Sequence, residues 1–132
     1  MRQFLLILLR LFGALLWFSL TPVMAAPAST QGPAIIIGGA LRFDNAAVWQ
    51  RLVEESGGQG ARWLVFATAS SKPERVAAQV VEVLSRHGAL AEAMPVAPRL
   101  EGVDLQKNLH DEALIAKVAA ASGLYFSGGF VG

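Results

Sequence analysis

The sequence predicts an α/β fold in which helices flank a parallel sheet, in the order βαβαβαβ. Four short runs rich in β-branched, aliphatic or aromatic residues alternate with three stretches of helical periodicity. Each helical stretch is long enough to form the crossover that two parallel strands require. Because such crossovers are almost always right-handed, we expect a parallel sheet wrapped by right-handed βαβ units.

The first βα unit begins at residues 34–37, a β-branched run of the kind found in strands buried on both faces. A helix is predicted over residues 45–55, with Asp44 as its N-cap and Gly57 at its end. Four apolar side chains of this helix are expected to face the sheet: Val48, Trp49, Leu52 and Val53.

The second unit is a strand at residues 63–67 followed by a helix that ends at Gly88. Ser71 and Glu74 have the spacing of a capping box, in which each side chain accepts a hydrogen bond from the other residue's backbone N–H. The apolar face of this helix is expected to contain Val76, Val80, Val83 and Leu84. A weaker strand is predicted around residues 92–96.

The last unit is a helix over residues 111–121 and a strand at residues 124–127. Gly123 separates the two elements. One face of the helix is apolar and is therefore expected to pack on the sheet: Leu114, Ile115, Val118 and Ala119. Residues 104–108 have no clear pattern.

The N-terminal residues 1–25 have the pattern of a signal peptide. Arg2 precedes an apolar stretch that only Arg10 interrupts, and small residues precede an expected cut after Ala25. An uncleaved anchor is the alternative, although Arg10 leaves less than the roughly 20 apolar residues that a bilayer span needs. We expect an exported, periplasmic or secreted protein that meets the membrane only through this segment, with a linker at residues 26–33 and one partial domain at residues 34–132.

Composition excludes several classes of function. The full chain has a formal net charge of +1, and loss of the signal segment would leave it near neutral, so it has no basic field for nucleic acid. The absence of cysteine excludes disulfides, thiol catalysis, a cysteine-ligated zinc site and a lipoprotein anchor. Neither a dinucleotide fingerprint nor a Walker A loop occurs, and we expect no cofactor.

Four side chains are candidates for chemistry, and each has a stronger structural interpretation. Ser70 and Ser71 follow the second strand but lie in no G-x-S-x-G elbow, and the capping box accounts for Ser71. His87 lies in a last helical turn, where a cation favours the helix dipole. His110 precedes Asp111, which is a typical N-cap, and the two histidines are too far apart in the predicted fold to support a metal site.

Two glycine pairs follow predicted strands and are weak candidates for a binding site. Gly38 and Gly39 could let a ligand approach the backbone closely, although a tight turn also needs glycine. Gly128 and Gly129 could present backbone N–H groups to an oxyanion. In open parallel sheets, ligands bind at this carboxyl end of the strands.

Three segments resemble, in order and spacing, the N-terminal half of the cyanophycinase-like serine peptidases (peptidase family S51). They are Ile36-Ile37-Gly38-Gly39-Ala40 leading into residues 44–49, Phe66-Ala67-Thr68-Ala69-Ser70-Ser71 with Pro73, and Leu124-Tyr125-Phe126-Ser127-Gly128-Gly129. The resemblance covers residues 34–129. It implies a fold like the N-terminal half of a class I glutamine amidotransferase domain, and hydrolysis of peptide linkages that involve aspartate.

The resemblance also implies that the active site is built from two parts of a longer chain. In the family, the nucleophilic serine lies in a Gly-x-Ser-Ala-Gly elbow after a later strand, with a histidine and an acid beyond it, and none of these occurs in residues 1–132. Only the oxyanion-hole role carries over, to Gly129, and the polar residues that follow in the family are replaced by Phe130 and Val131. We expect a truncated or frameshifted N-terminal fragment, inactive alone, whose full-length relatives bind a peptide substrate. The alternative is a small exported, non-catalytic α/β binding protein.

Overall fold

The computed structural model describes residues 32–38 and 41–128 and contains a three-stranded parallel sheet. Its strands are β1 (Arg62–Phe66), β2 (Leu90–Ala93) and β3 (Gly123–Phe126), in the spatial order β2-β1-β3. The central strand pairs on both sides, and its Val65 lies opposite Ala93 of β2 and Tyr125 of β3. The predicted parallel α/β architecture is therefore confirmed for these strands.

Four helices connect and flank the strands: α1 (Ala46–Glu55), α2 (Pro73–Arg86), α3 (Leu105–Leu109) and α4 (Glu112–Ala119). Helix α2 joins β1 to β2, and α3 and α4 join β2 to β3. None of the helices in the described part of the chain has the length and apolar character that a membrane span needs. The signal segment and most of the predicted linker lie outside the described residues.

Helices α1 and α2 cover one face of the sheet, here called the Trp63 face because Trp63 and Val65 point to it. Trp49 is fully buried there, and its ring stacks on Tyr125 at a centroid distance of 5.7 Å. Its indole N–H donates to the carbonyl of Arg42 at 3.1 Å, which satisfies the one polar atom of the side chain. The four side chains predicted on α2 all pack into or against this core.

The opposite face, here called the Leu64 face, has a smaller core. Leu64 is buried with Met94 and Val96, which follow β2. Leu105 of α3 and Leu114 of α4 pack against this cluster while remaining partly exposed. The apolar residues of α4 that were expected to face the sheet are otherwise exposed, Ile115 by 56%. That prediction holds only for Leu114, which is the one residue of the four that packs against this cluster.

Residues 34–37 form no strand, contrary to the prediction. Ile36 is 95% exposed, and the flanking Ile35 and Ile37 are partly exposed. A short β-branched run gains stability as a strand only where it can pair with an edge and have both faces covered. In the described residues this segment makes no strand pairing.

The start of α1 differs from the prediction by one residue. Asn45 is the N-cap, and its side-chain oxygen accepts from the N–H of Val48 at 3.4 Å. Asp44 instead pairs with Arg42 at 2.6 Å, and this guanidinium lowers the pKa of the Asp44 carboxyl. The competing ion pair explains why Asp44 does not cap the helix. Gly57, with φ of 110°, ends α1 as predicted.

The predicted capping box at the start of α2 is wrong. The helix begins at Pro73, whose fixed φ and missing N–H suit the first helical position, and the N-cap position therefore falls on Lys72. Ser71 lies outside the helix. Glu74 reaches away from the turn, and its carboxylate accepts from the N–H of Glu101 at 3.3 Å.

The remaining bounds shift by small amounts. Strand β2 starts two residues before the predicted run and ends before Pro95, which has no N–H to donate to a sheet ladder. Helix α2 ends as predicted before Gly88, which has φ of 93°. Asp111 is the N-cap of α4 and accepts from the N–H groups of Ala113 and Leu114.

Candidate functional site

The carboxyl ends of β1 and β3 lie side by side and form the candidate site. The N–H of Ser127 donates to the carbonyl of Phe66 at 3.0 Å, which continues the pairing of the two strands past their ends. Ser127 and Gly128 therefore lie beside the loop that runs from Ala67 into α2. This is the edge of a parallel sheet at which ligands bind in other α/β proteins.

An open groove of about 1310 Å³ runs along β3 on the Trp63 face. Its walls come from α1, α2, β3 and residues 32–37, and Tyr125 lies in its lining. Burial raises the pKa of the Tyr125 hydroxyl. The end of the groove at the carboxyl ends of the strands is polar and is lined by Ser70, Ser71, Lys72, Arg75, Ser127 and Gly128.

Ser127 is the most unusual side chain at this end of the groove. It is 8% exposed, and within residues 32–38 and 41–128 its hydroxyl oxygen has no hydrogen-bond partner. Side chains alternate along a strand. Tyr125 faces α1, and Phe126 stacks on Phe66 of the Leu64 face at 4.8 Å, so Ser127 points to the Trp63 face and into the groove.

Of the two serines that follow β1, Ser70 has a structural role in the turn. Ser70 is 4% exposed, and its hydroxyl accepts from the N–H of Lys72 at 3.0 Å. This bond shapes the turn into α2, as serine hydroxyls commonly do. Ser71 is exposed and lines the groove.

His87 is too far from these serines to act as their base, and His110 contacts its own helix. His87 is the C-cap of α2, at the far end of a 14-residue helix that is about 20 Å long. His110 is the C-cap of α3, and its Nδ1 lies 2.8 Å from the carbonyl oxygen of Gln106. The structural interpretation of both residues is consistent with these positions.

The glycine candidates divide between described and undescribed positions. Gly38 and Gly128 are both exposed, and a Cβ added to either would meet no atom within 4 Å. Neither is in the left-handed region, so their turns do not themselves demand glycine in this structure. Gly39 and the oxyanion-hole candidate Gly129 lie outside the described residues.

Positive charge accumulates at the polar end of the groove. Lys72 and Arg75 line it, and neither makes an ion pair with any residue that the structure describes. Glu74 is turned away toward Glu101. No group of three or more potential metal ligands occurs in the described part of the chain.

Sequence reasoning found the edge of the sheet at which the site lies but missed its distinctive residues. Ser127 was treated only as the end of a strand, although alternation from Tyr125 would have placed it on the groove side. Lys72 and Arg75 were overlooked because Ser71 and Glu74 had the spacing of a cap.

The comparisons with known proteins assign no family to this chain. No protein-family model matches it, and no solved structure matches it.

Proposed function

We propose that this chain is the N-terminal part of an exported, cyanophycinase-like serine hydrolase that acts on aspartyl peptide linkages. In this proposal it supplies the strand-end turns of the active site but not the nucleophile. The observation that carries the proposal is the adjacency of the β1 and β3 carboxyl ends, where the N–H of Ser127 bonds to the carbonyl of Phe66. Residues 66–71 and the described residues 124–128 belong to two motifs of the family resemblance, and they meet at this edge.

The chemistry of such an enzyme is acyl transfer through serine. A serine attacks the carbonyl carbon of the aspartyl linkage, and its proton passes to a base and then to the leaving amine. Negative charge develops on the carbonyl oxygen and is stabilised by backbone N–H groups. In the proposal, the turn at Gly128 and Gly129 provides one of these donors.

The chain's own serines do not support a catalytic role for it alone. The buried Ser70 hydroxyl already accepts a backbone hydrogen bond. His87 is separated from the β1 end by the length of α2, and the His110 ring is next to its own helix carbonyl. The elbow sequence of the family does not occur in residues 1–132.

Residues 34–37 form no strand in the described structure. The finer fold that we propose lets this segment add to the outer edge of β3 as a fourth parallel strand. Helix α2 carries the chain from β1 to β2 across the Trp63 face. Helix α1 also lies on this face and precedes β1. A strand outside β3 would therefore reach β1 through α1 with the same hand as the α2 crossover, which is the hand almost all such units have.

The opposite placement is disfavoured by the same rule. A strand outside β2 would reach β1 in the reverse direction with α1 still on the Trp63 face, which gives a left-handed crossover. The isoleucines also suit the β3 edge. Ile35 and Ile37 line the groove beside β3, and Ile36, between them, has no place in its lining.

A non-catalytic binding protein is the second candidate function. It is favoured by a specific observation, the polar end of the groove, where Ser127, Lys72 and Arg75 have no partner among the described residues. This function needs no nucleophile. It would make the groove itself the functional site.

Two measurements separate the candidates. The DNA downstream of codon 132, translated in all three frames, should contain a Gly-x-Ser-Ala-Gly segment if the hydrolase proposal is correct. A polypeptide extended through that segment and through the histidine and acid expected beyond it should be labelled by a fluorophosphonate at the new serine, whereas the 132-residue chain should not be labelled. Absence of the segment, or labelling of Ser70 or Ser71 in the short chain, would contradict the proposal.

A further inference from the structure

We propose that the polar end of the groove is a binding site for a compact oxyanion, either a carboxylate or a phosphate group. The site consists of the first turn of α2, the hydroxyl of Ser127 and the side chains of Lys72 and Arg75. This inference goes beyond the proposed hydrolase function and does not depend on it, because it requires no nucleophile.

The first turn of α2 offers unpaired donors. The N–H groups that begin a helix have no partner within it, and in this structure no side chain caps the N-terminus of α2. Pro73 has no N–H, so the free donors are those of Glu74 and Arg75. Helix α2 has 14 residues, and its dipole adds positive potential at this end.

The Ser127 hydroxyl is an independent observation that points to a ligand. A hydroxyl that is buried without a hydrogen bond destabilises a protein, and such groups are rare in native structures. Ser127 is 8% exposed, and its oxygen is unpartnered among the described residues, on the same groove as the start of α2. An oxyanion between Ser127 and the α2 turn would accept a hydrogen bond from this hydroxyl.

The side chains around this point favour negative charge. Lys72 and Arg75 line the groove without an ion pair in the described part of the chain. The nearest carboxylate in sequence, Glu74, is held by the N–H of Glu101. Glu55 also lines the groove, but it lies in the last turn of α1 and forms an ion pair with Arg51. It is next to Ser56, whose hydroxyl accepts a hydrogen bond from the Trp63 indole N–H.

The donor set is suited to more than one oxyanion. Backbone N–H groups and a hydroxyl bind either carboxylate or phosphate oxygens, and arginine can bind both in a bidentate manner. A carboxylate would come from an acidic peptide, and a phosphate from a phosphorylated small molecule or free phosphate. The shared chemistry is a small group with two or more anionic oxygens.

The test is a titration of the full chain with inorganic phosphate and, separately, with N-acetyl-aspartate, followed by backbone amide NMR shifts. We expect saturable shifts at Glu74, Arg75 and Ser127 with at least one of the two probes. Preference for N-acetyl-aspartate would identify a carboxylate ligand, and preference for phosphate a phosphorylated one. No saturable shift with either probe would overturn the proposal.

Two variants and a control assign the site. Ser127→Ala should weaken binding roughly tenfold, since it removes a hydrogen bond to a charged group. It should leave the ligand-free protein at least as stable, because the hydroxyl is unpaired there. Lys72→Ala should also weaken binding, and Lys107→Ala, an exposed cation on α3, should not. If Lys72→Ala and Lys107→Ala weaken binding equally, the attraction is to surface charge in general and the proposal is wrong. An unchanged affinity of the Ser127→Ala variant would also contradict the proposal.

Discussion

The two faces of the sheet differ in how completely they are covered. On the Trp63 face, α1 and α2 bury a continuous core in which Trp49, Val65 and Leu84 are fully inaccessible. On the Leu64 face, α4 leaves Ile115 56% exposed, and Phe126 of β3 is 64% exposed despite its contact with Phe66. The difference teaches that the fold is held mainly from one side, and that the Leu64 face leaves apolar side chains exposed on α4 and on both outer strands, including Leu90 of β2.

The largest effect is expected from the core of the Trp63 face. Trp49→Ala should destabilise the protein by about 3–5 kcal/mol, because it removes a fully buried ring that stacks on Tyr125. The matched change on the other face, Ile115→Ala, should alter stability by no more than about 0.5 kcal/mol. Denaturant unfolding of both variants checks the contrast, and similar losses would show that the faces contribute equally.

A close contact within the sheet should have the next largest effect. A Cβ at Gly123 would lie 2.5 Å from Cε2 of Trp63, so Gly123→Ala should cost about 1–3 kcal/mol through overpacking. Gly128→Ala is the control, because its Cβ would meet nothing within 4 Å. Thermal melts that show the two variants unfolding at the same temperature would contradict this packing of Trp63 on β3.

The helix caps sharpen the comparison at a smaller scale. Asp111 accepts two backbone N–H groups of α4, so Asp111→Ala should destabilise the protein by about 1 kcal/mol. Asp44→Ala should have almost no effect, because Asp44 pairs with Arg42 at the surface and does not cap α1. Urea unfolding measures both variants. A larger loss of stability from Asp44→Ala than from Asp111→Ala would indicate that Asp44 caps α1.

The smallest effect concerns pH. Burial raises the pKa of Tyr125 in the folded state, so the unfolded state ionises first as the pH rises. The stability linked to the neutral hydroxyl should be fully present below about pH 10 and be lost above it. Tyr125→Phe should therefore lose less stability than the natural protein between neutral and alkaline pH. Identical pH profiles would indicate that Tyr125 is solvated.

Helical periodicity predicted the well-covered face correctly. The apolar spacing of Val76, Val80, Val83 and Leu84 identifies the buried face of α2, since every turn of the pattern meets the same sheet. The short α4 has a similar apolar pattern, but only Leu114 packs on the core. Periodicity indicates which side of a helix is apolar. Whether that side is buried depends on the elements that pack against it, which the local sequence does not specify.

Local competition explains the displaced ends and caps. Pro73 fixes the start of α2 and moves the N-cap position to Lys72, and the Arg42 ion pair removes Asp44 from the start of α1. The candidate site needed tertiary information. The Ser127 hydroxyl is buried without a partner among the described residues because β3 lies beside β1, and no local pattern specifies that pairing.

The central claim of the proposed fold is that residues 34–37, which pair with no strand in the described structure, join the sheet at the outer edge of β3. The sequence has no cysteine, so engineered pairs can be interpreted without background disulfides. Ile36→Cys can be combined with Leu124→Cys on β3 or, as a matched control at the opposite edge, with Leu90→Cys on β2. Both partner positions are on the Leu64 face and are exposed, by 42% and 63%.

Mild oxidation followed by peptide mapping under non-reducing conditions tests this claim most directly. Adjacent strands bring Cα atoms within the range of about 4.4–6.8 Å that a disulfide requires. The account predicts that the variant with Ile36→Cys and Leu124→Cys forms an intramolecular disulfide rapidly. The variant with Ile36→Cys and Leu90→Cys should not. Preferential cross-linking to Leu90, or no cross-linking at either edge, would contradict the claim.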